Sequence, residues 1–104
     1  MLHTLLEKAI FEDDFCIDLI LRSSQLDDFQ LSLLEKEAMF EHINEIHRFF
    51  NITTLEDREI VNKKINNNTK FRNDFLSYTK EKLAFMLVSH SKKEPQAIVW
   101  VTAR

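Results

Sequence analysis

Two glutamates and two histidines fall between residues 41 and 47, in the stretch "FEHINEIHRF" at 40–49. Such residues can hold a metal ion or exchange protons, so their spacing decides what they can do. His42 and His47 are five apart. At about 100° per residue they stand about 140° apart around a helix, too far to ligate one ion. A zinc-protease pair needs spacing four on one face. A di-iron bundle needs Glu-x-x-His on two helices. Here the order is His42-x-x-Glu45, with no second copy, and His3 and His90 stand alone. The spacing instead reads as an amphipathic helix. Glu37, Glu41 and Glu45 recur every four residues as a solvated acidic stripe. His42 and His47 lie at the edges of the apolar face, with the phenylalanines in the core. No metal site is expected.

Cys16 is the one thiol. A reactive thiolate wants cationic neighbours, but Cys16 lies among Glu12, Asp13, Asp14 and Asp18. It reads as a buried core residue, and it has no partner for an internal disulfide. Paired carboxylates at Asp13-Asp14 and Asp27-Asp28 are the raw material of glycosidase chemistry. They sit at helix starts, where acids cap the helix and complement its dipole. The chain has no glycine, although about seven would be expected at ordinary usage. Nucleophile elbows, phosphate-cradling loops and dinucleotide fingerprints all need glycine. The expectation is a protein without enzymatic activity and without cofactors.

Charge is the most distinctive feature. Residues 1–57 carry 13 acids and 4 bases, net −9, and residues 58–104 carry 4 acids and 10 bases, net +6. Asymmetry of this kind hints at interaction, and three readings compete. The halves can pack on each other and cancel. Alternatively the acidic half meets a basic protein through Asp13, Asp14, Asp18, Asp27, Asp28, Glu37, Glu41 and Glu45, with steered association. Or the basic half binds nucleic acid. Lys63, Lys64, Lys70, Arg72, Lys80 and Lys82 lie along 62–82 around an asparagine-rich turn, in the order a helix-turn-helix would use. Against this, the turn lacks its usual glycine and the whole chain is acidic, with a pI near 5.8. The protein-binding reading leads. It describes a small regulator or inhibitor acting by occlusion, analogous in size and charge to immunity proteins, antitoxins, anti-defence inhibitors and adaptors. Ile98, Val99, Trp100 and Val101 are its candidate apolar anchor. A homo-oligomer pairing acidic and basic faces is a further possibility.

The elements that must position these residues are helical. Without glycine, tight hairpins are disfavoured. The expected fold is all-α, one domain over 1–104, a bundle of four to five helices with a short extended or helical C-terminal segment. Leu2, Leu5, Leu6, Ala9 and Ile10 make one helical stripe. A second helix follows to about Arg22, capped by Asp13 or Asp14, unless one bent helix covers 2–22. The third runs from about 27 to 50, with Phe29, Leu33, Phe40, Ile43 and Phe50 inward and Leu34, Met39 and Ile46 widening the face. Asn51 ends it. A capping box of Thr53 and Glu56 opens a fourth helix, 54–66, with Leu55, Ile60, Val61 and Ile65. Asparagines 66–68 stop it, and a fifth runs over about 69–90. No apolar run is long enough to cross a membrane. The N-terminus does not read as a signal peptide. These features and the lone cysteine point to the cytoplasm.

Overall fold

A computed structural model of the chain describes residues 2–91. It is all-helical among those residues: α1 (Leu2–Phe11), α2 (Asp13–Arg22), a 3-10 turn (Ser24–Asp28), α3 (Leu33–Phe49), α4 (Leu55–Asn67) and α5 (Thr69–Ser91). The C-terminal segment expected to be extended or helical lies outside the described residues.

The chain turns at single residues. Glu12 is extended (φ −113°, ψ 109°). Its N–H still donates to the Lys8 carbonyl, and its carbonyl accepts from Cys16. Asn68 repeats the device at φ −135°, ψ 105°, donating to Lys64 and accepting from Arg72. The Asn68 side-chain oxygen also accepts from the Phe71 N–H at 3.0 Å, so one asparagine ends α4 and caps α5. The cap of α2 is Glu12, without a side-chain bond, rather than Asp13 or Asp14. Where the left-handed conformation is needed and glycine is absent, Ser23 (φ 56°) and Asn51 (φ 57°) adopt it.

Two helix starts differ from the sequence reading. The third helix begins at Leu33, not near 27, because Ser32 and Glu35 form a capping box and residues 29–32 are not helical. The box before α4 is Thr54 with Asp57, one residue later than expected. Asp57 also accepts from the Thr53 hydroxyl and N–H. These bonds, the hydroxyl of Thr53 first, hold its carboxyl below the usual carboxylate range.

All five helices feed one core. α5 packs against α1, α2, α3 and α4, and Phe75, Leu76, Leu83, Met86 and Leu87 are its buried apolar side chains. α1 contributes Leu5, Leu6 and Ala9, and α2 contributes Cys16, Ile17, Leu19, Ile20 and Leu21. From α3 come Met39, Ile43 and Ile46, and from α4 only Val61 and Ile65. Several residues expected inside are instead exposed: Leu33 (73%), Leu34 (77%), Phe40, Phe49, Leu55 and Ile60. Once Met39, Ile43 and Ile46 fix the phase of α3, Leu33 and Leu34 are carried round to the opposite side.

Candidate functional site

The acidic residues divide by what they touch. Asp13 and Asp14, in the first turn of α2, reach cations on α5. Asp13 pairs with Lys80, and Asp14 lies 3.4 Å from Arg72. The hydrogen bond from Lys80 is the main reason the Asp13 carboxyl is held below its usual range. Asp18 pairs with Arg22 on its own helix at 3.7 Å, and Asp27 with Lys36 at 3.9 Å. Asp28 closes the 3-10 turn. Glu45 is half-buried, with a carboxylate oxygen 3.7 Å from Nδ1 of His42. Among the described residues only Glu37 and Glu41 combine an exposed carboxylate on α3 with no ion pair.

The outer face of α3 gives those two glutamates their setting. Leu33, Leu34, Glu37, Phe40, Glu41 and Asn44 span an arc of about 120°. All six are exposed. Three large apolar side chains and two unpaired carboxylates therefore share one helix face, which the core does not use. The sequence reading found the acidic half of this face. It missed the apolar half, because Leu33, Leu34 and Phe40 were expected in the core.

The basic candidates are largely engaged. Lys80 and Arg72 are tied to α2. The Lys64 ammonium lies 5.7 Å from the Phe71 ring centroid, and that of Lys82 lies 5.5 Å from Tyr78. Lys63 and Lys70 are exposed on either side of Asn68. The α4–α5 connection is that single residue, where a helix-turn-helix uses a turn of about three to four. So the two halves of the charge split meet at the α2–α5 contact.

His47 and Cys16 are core residues. His47 is buried on α3, not at its edge, and its Nε2 lies 2.5 Å from the carbonyl of Ile20. That carbonyl belongs to the last turn of α2, where no later N–H of the helix can reach it. A neutral imidazole donating from Nε2 satisfies it. Burial pushes the His47 pKa down, the bond to Ile20 opposes this, and the Arg58 charge adds to it. The Cys16 Sγ lies 3.4 Å from Oγ1 of Thr79, which donates to the Phe75 carbonyl at 2.8 Å. With that hydroxyl proton committed, the thiol is the donor in the Cys16–Thr79 contact. Burial pushes its pKa up, as expected for an unreactive thiol. No cluster of three metal-ligating side chains occurs among the described residues.

A cleft of about 360 Å³ opens between α2, the 3-10 turn and α4, with Leu21 and Leu55 beside Asp18, Arg22, Arg58 and Glu59. Its charges balance, and it contains neither a cysteine nor a histidine. The apolar run Ile98, Val99, Trp100 and Val101 lies outside the described residues. No helix among the described residues is long and apolar enough to cross a membrane. Compared with protein-family models, with curated proteins and with solved structures, the chain matches none of them.

Proposed function

We propose that this chain is a small cytoplasmic protein-binding regulator or inhibitor that docks through the outer face of α3 and occludes a basic surface on a larger partner. The observation that carries the reading is the juxtaposition on that face. Leu33, Leu34 and Phe40 are exposed beside Glu37 and Glu41, whose carboxylates have no cation among the described residues. Apolar anchors supply most of the binding energy in such interfaces. Surrounding charges steer the encounter and reject wrong partners. The α2 carboxylates named from the sequence are poorer candidates, because Asp13, Asp14 and Asp18 are already paired within the chain.

The test is capture from native lysate with and without nuclease, run in parallel on three chains: wild type, Glu37→Lys/Glu41→Lys, and Asp14→Lys as the α2 control. A partner that survives nuclease should be retained by wild type and by the α2 variant, and lost from the α3 variant. With that partner purified, the α3 charge reversal should slow association by about tenfold or more at low salt. Leu34→Ser should act on dissociation. Equal retention by wild type and the α3 variant would remove the reading. Retention that disappears with nuclease would place the function with the exposed cations near Asn68.

A further inference from the structure

The cleft of about 360 Å³ between α2 and α4 contains no residue of the α3 face. Its α4 wall is Leu55, Arg58, Glu59 and Asn62, which are spaced as one helical face. Its α2 wall is Asp18, Leu21 and Arg22. The four charges differ in how far they are engaged. Arg22 and Asp18 lie 3.7 Å apart and answer each other. The half-buried Arg58 guanidinium and the exposed Glu59 carboxylate have no hydrogen-bond or ion-pair partner among the described residues. Adjacent residues of a helix do not face each other, so these two charges do not cancel locally. Leu21 is buried and Leu55 is 70% exposed, so the cleft also offers apolar surface.

We propose that this cleft binds a small zwitterion with an apolar body, of the kind of an apolar amino acid or dipeptide. The ligand carboxylate lies on Arg58, whose planar fork can offer it two parallel hydrogen bonds. The ligand ammonium lies toward Glu59, and the apolar body rests on Leu21 and Leu55. Size, sign and desolvation select this class. Small-molecule sites run from about 300 to about 1,000 Å³, and this cleft lies at the small end. A nucleotide or other multiply charged anion would bring its charge beside Asp18 and Glu59 as well as beside the arginines. A simple cation would meet the arginines. One charge of each sign matches both walls. Arg58 is already half-buried without an acceptor, so part of its desolvation is incurred by folding, and a ligand carboxylate gains the charge-assisted bond at less cost. No residue of the α3 face takes part, so ligand binding and partner docking are separable.

The test is titration of leucine and of leucyl-leucine into the full chain, followed by backbone amide NMR shifts. Resonances of the cleft walls should move, with a Kd of about a millimolar or tighter for ligands of this size. Leucinamide lacks the carboxylate and N-acetyl-leucine lacks the ammonium. Each should bind about tenfold or more weakly, the loss of one charged hydrogen bond. Arg58→Gln should weaken leucine by a similar factor. Arg48→Gln, the same change of charge on α3, should leave leucine binding unaltered. If Arg58→Gln lowers helical circular dichroism, Glu59→Gln on the exposed edge takes its place, and should weaken leucine but not N-acetyl-leucine. A preference for the zwitterion supports the proposal with either probe, and the tighter of the two identifies the ligand. No shift with either one at about 10 mM, where such a site would be largely filled, would overturn it. So would N-acetyl-leucine binding as tightly as leucine, or an Arg58→Gln variant that binds leucine like wild type.

Discussion

The proton on His47 Nε2 is committed to a carbonyl that α2 cannot satisfy by itself, and this ties the fold to pH. Protonation of the imidazole is disfavoured in the folded chain, so its pKa lies below the ordinary value of about 6.5. As the pH falls through about 6.5, the unfolded chain takes up this proton first, and stability falls with it. The contribution is fully present above that pH and is lost towards the lower folded value. Urea midpoints should therefore drop between about pH 7.5 and about pH 5.5. In His47→Gln, whose amide can donate to the same carbonyl, the midpoint should be flat across that window. Asp13 and Asp57, held below the carboxylate range, lose their contributions only at lower pH. An unchanged wild-type midpoint would show that His47 is not buried as a neutral group. The sequence showed that His42 and His47 point in different directions. It did not show which of them faces inward, because the partner is a backbone carbonyl on another helix and leaves no mark in side-chain periodicity.

Among the elements, the helix ends hold the strain. Ser23 occupies the left-handed conformation at the end of α2, where an L-residue with a β-carbon costs about 1–2 kcal/mol. Ser23→Gly removes that cost and loses part of the gain to the greater freedom of glycine in the unfolded chain. The net expectation is stabilisation by about 0.5–1 kcal/mol in urea unfolding. Asn51→Gly should change less, since asparagine tolerates this region. Destabilisation by Ser23→Gly would mean that the Ser23 side chain contributes more than its backbone strain costs. Asn51 was legible as a stop, because asparagine is the natural substitute in a chain without glycine. The left-handed turn at Ser23 was not legible, because serine carries no particular preference for that region. The α4 start was ambiguous by one residue, since "TTLED" contains two overlapping boxes, Thr53–Glu56 and Thr54–Asp57. Asp57 draws both threonines to itself and decides the frame. The α3 start was displaced because Phe29 packs on the core from outside the helix and so extended the apolar pattern backwards.

At the scale of the whole molecule, α5 organises everything else. Phe75 and Phe85 lie ten residues apart on it, one wholly buried and the other largely exposed. Phe75→Ala should cost about 3–5 kcal/mol, a large share of a domain's usual 5–15 kcal/mol. Phe85→Ala should cost far less, because Phe85 is largely exposed. Equal losses would mean that α5 is not oriented as described. The bundle itself was readable from composition and periodicity. The pairing of Asp13 with Lys80 and Asp14 with Arg72 was not, because it depends on bringing residues more than fifty positions apart side by side. The same arrangement imposes an order in time on synthesis. α1 and α2 can pack on each other as soon as both exist, but each also needs α5, the last described helix to be made. At about 5–20 residues per second, the Leu5–Leu6–Ala9 stripe of a nascent chain waits several seconds for its second wall. During that interval Asp13 and Asp14 carry their charge unpaired, which helps keep an unfinished apolar stripe from sticking to its neighbours on the same messenger.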